Sequence, residues 1–174
     1  MASVIRGSDD FDSGTVGITL GTAVASTSGT AIDFTGIPSW AKRVKVLLSG
    51  VSTNGTSDIL VRLGNTTFVT TGYLSASSNL SSGVLTTNFT TAFSLTATTG
   101  VANTTIFHHT FELNLVDPAT NRWLCSAVGA RSDFTVTFTV AGTLVLSSAL
   151  DRIRLTTAGG TNTFDAGTMN ISWE

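Results

Sequence analysis

KRVKVLLSGVSTNGTSDILVRLG, residues 42–64, is the stretch that decides the fold. Val46, Leu48, Val61 and Leu63 fall on one set of alternate positions, and Lys45, Leu47 and Arg62 on the other. A period of two belongs to a strand with one buried face. Asn54-Gly55 lies between the two halves and is the pair best able to take the two positive φ angles of a type I′ turn. Folding about it sets Leu48 against Val61, Val46 against Leu63 and Leu47 against Arg62. One face is then apolar and the other mostly polar, which predicts a half-buried antiparallel hairpin.

The same period recurs along the chain. Phe107, His109, Phe111, Leu113 and Leu115 share one side of a strand that Asp117-Pro118 ends in a turn. Trp123, Cys125 and Ala127 point inward on the next. Phe134, Val136, Phe138 and Val140 alternate with threonines, and Ala141-Gly142 reads as a turn into residues 144–146. Ile153 and Leu155 oppose Arg152 and Arg154 before Gly159-Gly160 breaks the run. Met169, Ile171 and Trp173 close the chain on a further strand. Short strands separated by turn signals, with no room for helical crossovers, predict an all-β chain: an antiparallel β-sandwich, most simply a jelly roll. Residues 15–174 are expected to form this single domain and residues 1–14 an arm. Residues 72–100, rich in Ser, Thr and Asn, are expected to be a long loop with short strands.

Composition agrees. Of 174 residues, 32 are Thr and 20 are Ser, while Lys and Glu number two each and Gln is absent. The straight-chain polar residues that clothe helices are thus replaced by residues that favour strands. A net charge of -2 offers no basic face for phosphates, so nucleic acid is not an expected partner. No apolar run approaches the roughly 20 residues of a membrane-spanning helix. The opening MASVIRGSDDFDSG lacks an apolar core, so no secretory signal is expected. Six of nine asparagines begin an Asn-x-Ser/Thr triplet, an excess that the abundance of Ser and Thr largely explains.

Catalytic chemistry is hard to assemble from these residues. His108 and His109 are the only histidines, and as strand neighbours they point to opposite faces, so they cannot share a metal. His109 is expected in the core or an interface and His108 in solvent. The lone Cys125 has no cysteine partner, and Glu112 and Glu174 are the only glutamates for an acid–base pair. Asp9, Asp10 and Asp12 lack the ligand spacing of a calcium loop. No catalytic residue, metal or cofactor is therefore expected. Trp40 suits either a packed corner or a contact between subunits. Tyr73, in the Ser/Asn-rich segment, is a candidate for exposed ligand contact, because a loop tyrosine offers rigid amphipathic area.

Three stretches carry a family resemblance: AIDFTGIPSWAKRVKVLLSGVSTNGTSDILVRLG (31–64), GYLSASSN (72–79) and LDRIRLTTAGGTNTFDAGTMNISWE (150–174). They resemble the C-terminal modules of tailed-bacteriophage fibre proteins, in which a similar FTGIPSW…VSTSGTS segment and a terminal FDAG strand recur. The resemblance spans most of residues 21–174. It implies a non-enzymatic virion protein assembled in the host cytoplasm, forming a homo-oligomer, by analogy a trimer, and contacting other virion proteins. Attachment is then expected through the arm, at Asp9, Asp10, Phe11 and Asp12. Outward loops near Tyr73 and Asn79 would meet a host surface glycan. The alternative is a head decoration or tail-completion protein without a host ligand.

Overall fold

The computed structural model describes residues 17–97 and 101–174. The arm, with Asp9, Asp10, Phe11 and Asp12, lies outside the described residues. Among the described residues fourteen strands are present: β1 (Thr19–Leu20), β2 (Val24–Ala25), β3 (Ala31–Thr35), β4 (Arg43–Thr53), β5 (Ile59–Asn65), β6 (Thr67–Phe68), β7 (Leu74–Leu80), β8 (Val84–Phe89), β9 (Phe93–Ser94), β10 (Phe107–Asp117), β11 (Arg122–Arg131), β12 (Thr137–Val145), β13 (Arg152–Thr157) and β14 (Phe164–Trp173). They form two antiparallel sheets packed as a sandwich. The larger runs β1-β14-β4-β10-β11-β12-β7-β8, with β2 also on β14, and the smaller runs β3-β13-β5-β6, with β9 also on β5. Nine strands oppose five, so the layers are unequal, unlike the even division of a simple jelly roll.

Alternation places the core. Val44, Val46, Leu48, Phe111, Leu113, Trp123, Cys125, Phe138, Val140, Met169 and Ile171 of the large sheet meet Ile32, Phe34, Ile59, Val61, Leu63, Ile153 and Leu155 of the small one in one buried cluster. The inward sides expected for β10, β11, β13 and β14 are those found. Asp117 ends β10 as expected, its carboxylate accepting from the Ala119 N–H at 2.9 Å and the Thr120 hydroxyl at 2.7 Å.

Four local expectations are corrected. First, β4 and β5 do not form a hairpin: β4 pairs with β10 and β14, and β5 with β13, β6 and β9. Neither Asn54 nor Gly55 has a positive φ. Asn54 instead exchanges two hydrogen bonds of 2.9 Å with the backbone of Thr163, and the chain crosses from one sheet to the other. The apolar sides of the two strands therefore face each other through the core and are not side by side.

Second, Ala141-Gly142 lies within β12, where Gly142 is opposite Ser75 with no room for a Cβ. Third, Phe134 precedes β12 in a bend and is 60% exposed, with the Arg131 guanidinium 5.4 Å from its ring centre. Fourth, much of residues 72–100 is regular. β7 and β8 pair from Ser75–Phe89 to Leu80–Val84, and buried Ser75 and Ser77 donate to the Ala92 and Ser94 carbonyls, holding β9 beneath them.

The terminal FDAG motif shapes the large sheet. Register shifts between Phe164, Ala166 and Thr168 bulge β14 against β4. Gly167, at φ 96°, sits so close to Gly50, itself at φ 68°, that a side chain on Gly167 would collide with the Gly50 backbone. Asp165 accepts a hydrogen bond from the Ser52 hydroxyl, and Phe164 is buried. Bulges bend the strand and increase its twist.

Candidate functional site

The sequence candidates do not converge. Tyr73 was expected at the surface; it is fully buried, and that expectation is overturned. Its ring stands edge-on to Phe93 at 4.9 Å. Its hydroxyl accepts from the Leu63 N–H at 2.8 Å and donates to the Val69 carbonyl at 3.2 Å. Gly72, at φ 81°, turns the chain just before it. Its hydroxyl is committed to two backbone groups and its side chain has no exposed surface. Asn79 is half-buried near the end of β7, at positions alternate with buried Ser75 and Ser77, and it pairs in register with Phe138 and Leu85.

His109 is buried as expected. It lies between Phe107 (5.8 Å) and Phe138 (5.5 Å), above Gly129, where a Cβ would strike the imidazole. Neither ring nitrogen has a hydrogen-bond partner, and burial pushes its pKa down to about 4. His108 faces outward, its Nδ1 accepting from the Gly50 N–H at 3.2 Å. Cys125 is buried and its thiol pKa is raised by burial, which suppresses thiolate chemistry. Among the described residues no group of three His, Cys, Asp or Glu side chains could hold a metal.

Many of the charged side chains among the described residues are tied up in pairs, Arg131 with Asp133 at the end of β11 among them. On the small sheet, Arg154 makes a two-pronged contact with Asp33 at 2.7 and 2.6 Å and lies 4.1 Å from the Phe68 ring centre. Arg152 similarly holds Asp151. On the large sheet, Arg43 meets Glu174 at 2.5 Å and Lys45 meets Glu112 at 3.5 Å. The hydrogen bond from Asn114 and then the two cations hold the Glu112 carboxyl below its ordinary range.

What remains is a broad face that no single motif marked. β7, β8 and β12 contain no charged residue, and β11 carries Arg122 and Arg131 only at its ends. Their outward positions include six exposed large apolar side chains: Leu74, Leu80, Val84, Leu124, Val128 and Val145. Cross-strand register lines up Glu112, Ser126, Ala141, Ala76 and Asn88 in one row. Shallow depressions of about 490 Å³ at Ala76, Asn88 and Ala141 and about 270 Å³ at Glu112 and Ser126 lie along it. The signal was in the sequence as alternate Leu, Val, Ala and Thr, but only register aligns it. Comparison with known protein families and with curated proteins finds no match.

Proposed function

We propose that this chain is a non-enzymatic structural protein of a bacteriophage particle, a fibre module that attaches to the virion, assembles with copies of itself and meets the host surface. The observation that carries this reading is the broad uncharged face with exposed apolar side chains, on a body whose His109 and Cys125 are buried. Contiguous exposed apolar surface is characteristic of interaction sites. The resemblance at residues 31–64 and 150–174 supplies the phage context and the trimer. With Tyr73 withdrawn into the core, host contact is assigned to the tip of the β7–β8 hairpin beyond Asn79, where residues 81–83 are exposed.

The test is competition. Purified protein that blocks phage adsorption, together with its location on fibres by electron microscopy, supports the fibre assignment. A head location without competition replaces it with decoration. Release of sugars from host polysaccharide would overturn the non-enzymatic reading.

A further inference from the structure

We propose that the recess between the Ser39–Lys42 corner and Trp123, at one end of the sandwich, binds the carboxylate of an acidic sugar, a uronic or sialic acid residue. The proposal rests on the reading that the chain meets a host surface, and it names the chemistry recognised there and a place for it apart from the β7–β8 tip.

Three connections converge there. Ser39 and Lys42 lead into β4, Asn121 belongs to the β10–β11 turn, and Leu150 comes from the β12–β13 connection. With Leu115 and Trp123 they line a recess of about 130 Å³. Backbone hydrogen bonds hold its walls. The Lys42 N–H donates to the Glu174 carbonyl at 2.7 Å, the Leu115 N–H to the Lys42 carbonyl at 2.8 Å, and the Leu146 N–H to the Asn121 carbonyl at 3.1 Å. A site fixed in this way is largely preformed, which limits the ordering cost of binding.

Its polar side chains select the guest. Ser39, Lys42, Asn121 and Trp123 all line the recess, and among the described residues none of the four makes a side-chain hydrogen bond or an ion pair. Trp123 is 2% exposed, and its indole N–H, which can only donate, is buried without an acceptor. A buried donor left in that state is costly. No carboxylate lines the recess. The nearby Glu174 is bound to Arg43, and Asp117 to the Ala119 N–H and the Thr120 hydroxyl. An ammonium and an indole N–H, neither with an acceptor, call for a guest that accepts hydrogen bonds and carries negative charge.

Size and surroundings narrow it further. The volume is close to the roughly 150 Å³ that admits a benzene-sized molecule, so a carboxylate with the adjoining edge of a sugar ring fits. A phosphate, with a charge of about −1.5 to −2 and three strong acceptor oxygens, calls for more than one lysine. Leu115 and Leu150 offer apolar surface to the C–H edge of a ring, and the Ser39 hydroxyl and Asn121 amide suit its hydroxyls. Trp40, between two lining residues, is 44% exposed and gives the same corner an aromatic surface for the adjoining sugar.

Heteronuclear NMR on the full chain tests this, because the indole N–H of Trp123 reports directly on a new acceptor. Trp40→Phe and Trp173→Phe assign its cross-peak by elimination. D-glucuronate or N-acetylneuraminate should shift that cross-peak saturably, with a Kd on the order of 1 mM, and D-glucose should bind about tenfold more weakly or not at all. Lys42→Gln should raise the Kd about tenfold, as should Asn121→Gly, which keeps the φ of 50° while removing the amide. Lys45→Gln, whose ammonium pairs with Glu112 outside the recess, should leave it unchanged. Urea midpoints equal to the parent protein's establish that the variants are folded. No saturable shift with either sugar acid, or a shift indifferent to both recess variants, overturns the proposal. A short acidic peptide that binds more tightly than either sugar acid also overturns it, giving the recess to a protein segment. A chain that competes with phage adsorption but binds no sugar acid sinks this recess alone; sugar-acid binding intact in a chain that does not compete sinks the host-contact reading alone.

Discussion

At His109 the chain keeps an ionisable ring where its charged form is excluded. Both nitrogens lack partners and burial lowers the pKa to about 4 from 6.5. Above pH 6.5 the ring is neutral whether the chain is folded or not, and this group leaves stability unchanged. Between 6.5 and 4 the unfolded chain takes up the proton and the folded one does not, so stability falls with pH, by about 3 kcal/mol in all. His109→Leu should remove that slope. Urea titrations of both proteins at pH 7 and pH 4.5 check it, and equal losses in the two would show that the ring is not responsible. Tyr73 makes the complementary case. Tyr73→Phe preserves the ring packing on Phe93 but strands the Leu63 N–H and the Val69 carbonyl, at a cost of about 1–3 kcal/mol. A neutral outcome in the same titration would mean that these two groups find other partners. Burial of this tyrosine was not legible in the sequence, because its neighbours Ser75 and Ser77 have the composition of a loop. They are buried through hydrogen bonds to the carbonyls of Ala92 and Ser94, partners that local composition does not reveal.

Among the elements, β14 shows how one residue governs a strand. Gly167 lies at φ 96° against the Gly50 backbone, within the bulges that bend β14 over β4. Gly167→Ala adds a dihedral penalty of about 1–3 kcal/mol and a backbone collision besides. The expected result is a marked fall in thermal midpoint, while Gly17→Ala, where an added Cβ meets nothing, should be close to neutral. β4 and β5 show the limit of pattern. Their alternation correctly identified Val46, Leu48, Val61 and Leu63 as core, yet paired them as neighbours in one sheet. A period of two says which side of a strand is apolar. It is silent on whether the matching apolar side lies alongside in the same sheet or across the core in the other, since both arrangements bury the same residues. Asn54-Gly55 would have decided for the hairpin had its φ angles been positive; its bonds to Thr163 decided otherwise.

For the molecule as a whole, the large sheet should open as a unit. Cys125 lies in its centre, between Leu113 on β10 and Gly142 on β12. A thiol reagent is expected to label it only as fast as global unfolding exposes it, so labelling should follow the urea-dependent unfolding free energy. Rapid labelling in the absence of denaturant would show that β11 opens locally. The all-β class, the inward sides of β10, β11, β13 and β14 and the burial of His109 were determined by the sequence alone, because pleat periodicity and composition are local properties. Which strands pair, where Tyr73 sits and the row of Ser126, Ala141 and Ala76 were decided only by the tertiary structure. Each depends on register between segments distant in the chain, and register is set by the joint packing of two sheets and by backbone hydrogen bonds that carry no sequence mark of their own.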